Sequence, residues 1–583
     1  MPIKSRYQVD IPAVDLATYI FQSPTASISN HKAFLDATSP EKYFLSFPDF
    51  RLWSQRFAAG LRAAGFQPGD RLLLFSGNTI FFPAVLIGTV MAGGIFTGAN
   101  PTYVARELAY QLRDSGARFL ICAEQSMATG LEAARSIGMA EDRVFAFDDG
   151  RAAFDGTGSG VAGTGVRHWS ALLASPEAGA RFAWQPLTAP DDLRRTVVLN
   201  YSSGTTGVPK GVEITHRNYV ANTHQTLSWA RMDPGFAENA ARARYLAFVP
   251  FYHAMGQTLF CAHAPLVGIP VYVMQKFDFA RMLDCIQRHR ITDLTLVPPV
   301  VVSLAKHPLV ANYDLSSVER VGCGAAPLSR EMCAELEKRL EGPGPEPNGQ
   351  QQQKTKLPRV NVKQGWGMTE ITCTATGWHP TAHSDSSSVG ELAPNAEAKI
   401  VPADHDGPSD AVQELPRGAR GELWIRAPNV MKGYWGRPDA TAEALTPDGW
   451  LKTGDIAYAD EAGFLWIVDR KKELIKVKGN QVAPAELEAV LLENEGLADA
   501  AVVGVTTPRG EEVPRAYVVR GEGGRRLTEG DVVAWMDGRV SRNKRLAGGV
   551  KFVEAIPKNP SGKILRKVLR DQAQAEVSRE AKL

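Results

Sequence analysis

From about Gly69 onward, short apolar runs alternate with longer amphipathic segments, and this alternation confines the chain to one broad class of fold. Candidate strands are 71–75, 119–122, 196–199, 245–249, 271–274 and 294–297. Helical patterns lie between them, as at 105–114, 216–229 and 278–289. Strands spaced by helices imply parallel sheets covered by helices, so the expected fold class is α/β. At 583 residues the chain exceeds the roughly 250 to 300 that one core can serve, so more than one domain is expected. Past Asp469 the pattern changes to a smaller unit: a lysine-rich turn, Pro484 at a helix start, strands at 500–505 and 515–519, and a helix capped by Thr528 with Asp531 three residues on. The boundary is therefore set between a domain at 1–469 and an α+β domain at 470–583.

Charge and cysteine usage narrow the function classes. The 65 basic and 63 acidic residues are well mixed and leave a net charge of +2, so neither a nucleic-acid arm nor a polybasic membrane anchor is expected, while a small charged ligand is allowed. The cysteines, at 122, 261, 285, 323, 333 and 373, show no CxxC or metal-ligand spacing, which points to reduced thiols and away from structural zinc. The longest apolar stretch, 80–98, is broken by Pro83, Gly88, Gly93 and Gly94 and reads as a buried helix running into a strand, not a membrane span. Segments 150–165 and 342–356 lack apolar periodicity and read as surface insertions, the second between a helix ending near Glu341 and a strand expected at 360–362. The closing tripeptide Ala581, Lys582, Leu583 is of the type read by a peroxisomal import receptor, so a peroxisomal location is expected.

The strongest local signal is SSGTTGVPKG, residues 202–211, between a strand pattern and a helical pattern. Its glycines let the backbone curl so that N–H groups surround phosphate oxygens, and its hydroxyls and Lys210 add donors and charge. It is not a Walker loop, because Pro209 and Gly211 stand where a glycine and a hydroxyl are needed. GSGVAG at 158–163 matches a dinucleotide fingerprint as a string but lacks a strand before it and a helix behind it. GWGMTE, residues 365–370, offers Trp366 for stacking on a base, Thr369 to a phosphate and Glu370 to Mg²⁺. Asp455 in TGD is an acceptor suited to ribose hydroxyls, and Lys563 in PSGKILRK stands on a tight turn from which it can reach anionic atoms in another domain. His253 in PFYHAMG, taken alone, fits a satisfied core histidine as well as an active one. No serine-hydrolase elbow and no zinc-binding helix motif occurs.

Taken in order, these elements resemble the adenylate-forming enzymes, which include acyl-CoA synthetases, 4-coumarate:CoA ligases, luciferases and peptide-synthetase adenylation domains. The resemblance covers nearly the whole chain, adding NPTYVARELAYQL, GAAPLS, GELWIR, GWLKTGD and DRKKELIKVKGNQVAPAELE to the motifs above. It implies a large N-terminal domain of two α/β subdomains and a barrel-like region, with a small mobile C-terminal lid hinged at the DRKK segment. It implies two half-reactions, in which a carboxylic acid attacks Mg-ATP to give an acyl adenylate and CoA then takes the acyl group. Mg²⁺, ATP, coenzyme A and a small carboxylic acid are the implied partners.

Position by position, the resemblance assigns the triphosphate to Ser202, Ser203, Gly204, Thr205, Thr206 and Lys210. It assigns the adenylate to Gln364, Gly365, Trp366 and Thr369, Mg²⁺ to Glu370, and the ribose to Asp455 and Arg470. Lys563 becomes the adenylation lysine, Lys472 a hinge residue near the nucleotide, and Lys476 and Gln481 the pair serving thioester formation. Lys276, Lys478 and Gly479 fall on CoA-contacting positions, and His253 beside the acyl pocket. The pocket wall becomes Ala254, Met255, Gly256, Gly322, Gly324, Ala325 and Cys373. Hydroxycinnamate ligases carry tyrosine, lysine and proline where Met255, Gly322 and Cys373 stand, so a wider and more apolar pocket for a medium-chain fatty or aryl-alkyl acid is expected. The alternative is another acyl acceptor, by luciferase-like oxidation or carrier-protein loading.

Overall fold

The computed structural model describes residues 2–148, 154, 165–202, 208–341, 359–403, 405, 412–477, 480–507, 511–559 and 562–580. The surface insertions read at 150–165 and 342–356 lie almost wholly outside these residues, as do Ser203 to Gly207, Lys478, Gly479 and the last three positions.

Two large sheets carry the expected alternation. In the first, Ile95–Ala99, Arg71–Phe75, Phe119–Ala123, Val144–Phe147 and Arg167–His168 run parallel, and Thr196–Ser202 joins them beside Ile95–Ala99. The second is ordered Val362–Gln364, Arg320–Cys323, Asp293–Leu296, Tyr245–Ala247, Val271–Val273, Lys32–Asp36, parallel throughout, with Phe44–Ser46 antiparallel at one edge. The stretch at 80–98 is a helix, Phe82–Met91, buried on every side and started by Pro83 in its first turn, followed by the strand Ile95–Ala99. Among the described residues no helix is long and apolar enough to cross a membrane.

The barrel-like region is a five-stranded antiparallel sheet ordered Ile3–Lys4, Glu397–Val401, Gly421–Arg426, Leu451–Ala459, Leu465–Arg470. It places Asp455 directly across from Arg470. The C-terminal unit has its own core, built on Leu487, Leu491, Val502, Val518 and Met536. In it Leu497–Thr506 pairs antiparallel with Glu512–Arg520, and the latter pairs parallel with Val550–Phe552. Thr528 and Asp531 cap the helix Glu529–Asp537 reciprocally, as the spacing predicts.

Two local readings are corrected. The strand expected at 360–362 runs Val362–Gln364, because its pairing partner Arg320–Cys323 sets the register Val321 to Val362 and Cys323 to Gln364. The phosphate loop does not open onto a helix. A strand, Lys210–Thr215, comes first and folds back antiparallel on Thr196–Ser202, and the helix His216–Ala230 begins only after it. Thr215 caps that helix with its side chain, so the residue that ends the hairpin strand also starts the helix.

Candidate active site

Parallel sheets present ligands at the carboxyl ends of their strands, and the cavity of about 850 Å³ lies there. Gly324 and Ala325 follow Arg320–Cys323, Gly365 and Trp366 follow Val362–Gln364, and His253 follows Tyr245–Ala247. The hairpin of the first sheet reaches the same cavity, since Ser202 and Lys210 face each other across it as register partners.

A buried carboxylate ties these elements together. Glu370, 6% exposed, accepts hydrogen bonds at Oε1 from Ser202 Oγ at 2.8 Å and from Tyr434 Oη at 3.1 Å. The Tyr434 ring lies under the Lys210 ammonium, 4.9 Å from it, and burial with the neighbouring Glu370 charge drives the phenol well above its ordinary range. The loop carrying Glu370 is closed by an approach only glycine permits: a Cβ on Gly367 would sit 1.7 Å from the Cys373 carbonyl oxygen. Thr372, with φ 62°, and Ala325, with φ 76°, hold left-handed conformations that disfavour side chains, and both stand on the loops at this end of the sheet.

Trp366 Nε1 donates to Asp455 Oδ2 at 2.9 Å, and Arg470 Nε lies 3.2 Å from Asp455 Oδ1 without aligning a hydrogen bond on it. Burial raises the Asp455 pKa, against the opposing pull of Arg470, Trp366 and Lys563. Asp455 Oδ1 is buried with no hydrogen-bond donor on it, and the cavity wall here is formed by its neighbours Gly454, Trp366 and Arg470 and not by Asp455 itself. Lys563 comes from the C-terminal unit on the turn the sequence predicts. Asn559 N–H donates to the Lys563 carbonyl at 2.9 Å, Lys563 N–H donates to Asn559 Oδ1 at 2.9 Å, and Gly562 takes φ 80°. Its ammonium lines the cavity, where burial and Arg470 lower its pKa while Asp455 and Glu370 raise it.

His253 faces the same charge. Burial, helped by Lys563, pushes its pKa down to about 4, so the ring is neutral at physiological pH. It precedes Ala254–Gly256 and a seven-residue π-helix, Gln257–His263, whose wide turn sets Thr258, Leu259 and His263 along the cavity. Asn200 and Gln257, both buried, exchange side-chain hydrogen bonds of 2.9 and 3.2 Å and fix this helix to the strand that feeds the phosphate hairpin.

Of the pocket wall read from sequence, Ala254, Met255, Gly322, Gly324, Ala325 and Cys373 all line the cavity. Gly256 is buried behind it, and a Cβ there would lie 2.2 Å from the Pro250 carbonyl oxygen. A Cβ on Gly322 would meet nothing within 4 Å. Thr369, Gly365 and Lys472 also line the cavity. Gln364 does so too, but its side-chain amide is held by the Leu328 backbone, with bonds of 3.0 and 2.9 Å, and so anchors the GAAPLS loop. Lys276, Lys476 and Gln481 are exposed and lie off the cavity wall, the last two side by side as register partners on the hairpin Ile475–Val477 and Asn480–Val482. Thr206, Ser203, Gly204, Thr205, Lys478 and Gly479 fall outside the described residues.

Sequence reasoning missed Tyr434, Thr226, His263, Lys363 and Trp378, which also line the cavity. They are separated along the chain and form no motif together. Tyr434, beside Gly433 in a two-residue edge strand, offered the only local signal.

The family model of the AMP-binding enzymes matches residues 24–435, most of the chain. The chain belongs to this family. The model of the AMP-binding enzyme C-terminal domain matches 486–563, which includes Lys563. The chain is 37% identical over 569 residues to phenylacetyl-CoA ligase epaB of Aspergillus niger, covering 97% of this chain and 98% of that one. It is 36% identical over 562 residues to 4-coumarate–CoA ligase 2 of Nicotiana tabacum, covering 95% and 94%. Among solved structures, ATP-bound MatB from Rhodopseudomonas palustris superposes with a TM-score of 0.77 at 25% identity, covering 97% of this chain and all of that one. The protein is accordingly an AMP-forming acid:CoA ligase, which makes an acyl-CoA from an acid, ATP and CoA through an acyl adenylate.

Proposed function

We propose that the acid is an aryl-alkyl or medium-chain carboxylic acid, bound with its tail toward Gly322. The observation that carries this reading is the empty space at Gly322, flanked by Met255, Gly324 and Cys373, where a polar anchor for a ring hydroxyl would otherwise project. The phenylacetyl-CoA ligase among the relatives supports it. An apolar wall separates neighbouring acids by only about 10 to 200-fold per methylene, so selectivity is relaxed.

In this reading the carboxylate lies between Lys563 and the α-phosphate, where the ammonium offsets the charge of two anions brought together. His253, neutral, packs beside the acid without adding a second positive charge. Ser202 and Lys210 hold the triphosphate from opposite strands of the hairpin, and the hydroxyls of Ser203, Thr205 and Thr206 add donors for it. Asp455 accepts from the ribose hydroxyls, and Trp366 is held by Asp455 at the edge of the adenylate.

The metal belongs with the nucleotide. Among the described residues no group of three or more His, Cys, Asp or Glu could hold an ion. Mg²⁺ commonly binds through one or two carboxylates together with substrate phosphates, and Glu370 beside the hairpin supplies such a carboxylate. When bound, the ion would draw charge from the phosphates. We assign Lys476, Gln481 and Lys276 to the thioester step, with the exposed hairpin face brought to the cavity by rotation of the lid about Lys472. A peroxisomal location, from Ala581, Lys582 and Leu583, is part of the same proposal and is tested by imaging a fluorescent fusion with and without the tripeptide.

The substrate reading is tested by following AMP release and CoA-thiol consumption across hexanoate, octanoate, phenylacetate and p-coumarate. Comparable turnover of the first three is expected. Preference for p-coumarate over all of them would overturn the assignment, and AMP release indifferent to CoA would point to another acceptor.

A further inference from the structure

Outside the cavity, one partly buried ammonium joins the two domains and has no part in the chemistry above. The helix Pro298–Lys306 starts just after the strand Asp293–Leu296 and meets the C-terminal unit at both of its ends. At its start, Val297 and Pro299 lie so near the Lys563 turn that a Cβ on Gly562 would be 3.1 Å from Val297 Cγ2 and 3.4 Å from Pro299 Cδ. At its last residue, Lys306 Nζ donates a 2.7 Å hydrogen bond to the carbonyl of Leu492.

Leu492 is the final residue of the helix Pro484–Leu492 in the C-terminal unit. The last carbonyls of a helix lack intrahelical donors and carry the negative end of its dipole, so a cation there is a cap. Lys306 thus caps a helix that belongs to the other domain. Glu335 of the body and Glu495 of the lid both act on its ammonium and oppose the lowering caused by burial. The Leu492 side chain packs against the main core as well as against the core of its own unit.

The path from this cap to the cavity is short and stiff. The strand Leu497–Thr506 follows the capped helix after a brief turn, and Asp499 on it pairs with Lys558 at 2.6 Å. Lys558 pairs with Ile564 across the turn that holds Lys563. Arg566, two residues further, forms an ion pair with Glu488 of the capped helix. A shift of that helix therefore carries Lys563 with it.

We propose that Lys306 is a positioning residue for adenylation: by capping the lid helix from the body, it fixes the lid orientation in which Lys563 enters the cavity. It acts through Lys563 and touches no substrate. The proposal rests on the assignment of Lys563 to adenylation, which Lys563→Ala tests by itself.

The experiment uses the full chain and two assays, acid-dependent exchange of labelled pyrophosphate into ATP, and thioester formation from supplied acyl adenylate and CoA. Lys306→Met should lower the exchange kcat about tenfold, leaving the ATP KM and the second assay unchanged or the latter faster. Lys306→Arg should restore most of the loss. Glu495→Lys, an exposed change that repels the same ammonium, should act in the same direction more weakly and guards against a Lys306 variant that does not fold. In a Lys563→Ala background Lys306→Met should add no further loss. Equal loss in both assays, additive losses with Lys563→Ala, or unchanged exchange in both Lys306→Met and Glu495→Lys would overturn the proposal. Unchanged exchange in Lys563→Ala would instead overturn the assignment on which it rests.

Discussion

The two ends of the cavity are built on opposite plans. At the nucleotide end the polar groups are committed to neighbours: Glu370 to Ser202 and Tyr434, Asp455 to Trp366 and Arg470, Lys210 to the face of Tyr434. At the end assigned to the acid the wall is defined by what is missing: a Cβ on Gly322 would face open space, and one on Gly324 would meet only Met255 Sδ at 3.9 Å and the Gly365 carbonyl at 3.7 Å. The nucleotide is the same in every turnover, so fixed donors and acceptors can be set for it in advance. In the proposed reading the acid varies, and selection by volume tolerates that variation at the cost of discrimination.

Substitutions at the nucleotide end should therefore cost rate for every acid alike. The largest effect is expected from Lys563→Ala, which should lower acid-dependent pyrophosphate exchange by about 100-fold or more while sparing thioester formation from supplied adenylate. Retained exchange would remove Lys563 from the first step. Asp455→Asn comes next: it keeps the shape but weakens the pairing with Arg470 and the acceptor for ribose, so the ATP KM should rise by about tenfold or more with the order of preference among acids unchanged. A change in that order would blur the division between the two ends.

Gly322→Leu should do the reverse, leaving the ATP KM alone and cutting kcat/KM for octanoate relative to the shortest acids by about tenfold or more. An equal loss for all chain lengths would place Gly322 outside the acyl path. The smallest effect on turnover concerns pH, which acts instead on stability. His216, His253 and His263 are each pushed down to about 4, chiefly by burial. Between that value and the ordinary 6.5 the folded chain binds fewer protons than the unfolded one. Their contribution is thus intact above pH 6.5 and lost as pH falls toward 4, by up to about 1.4 kcal/mol per pH unit for each ring. Denaturant midpoints taken from pH 7.5 to 4.5 should decline accordingly. Because Lys563 also depresses His253, Lys563→Ala should shallow that decline slightly, and an unaltered slope would separate the two residues.

How far the sequence could be read differs between the same two ends. The SSGTTGVPKG loop, GWGMTE, TGD and the Lys563 turn are continuous stretches whose glycines and charges have few other uses, so each is recognisable from the order of residues alone, although the strand that follows the loop was not. Their mutual arrangement is not: nothing in that order shows that Ser202 and Tyr434 share one oxygen of Glu370, or that the Gln364 amide is spent on Leu328. The proposed acyl wall showed in the sequence only as substitutions against the pattern of the hydroxycinnamate ligases, and the structure adds that these residues line the cavity. Thr226, His263 and Lys363, drawn from a helix, a π-helix and a strand, carried no common signal.

The sequence by itself determined the fold class and the chemistry of activation, because buried parallel strands and a phosphate-binding loop impose local composition that survives in one dimension. The tertiary structure alone decided the volume at Gly322, the charge partners of Asp455 and Lys563, and the cap that Lys306 places on a helix 186 positions away. Space, burial and the end of a helix dipole depend on what folding brings together across the chain, and no local pattern encodes them.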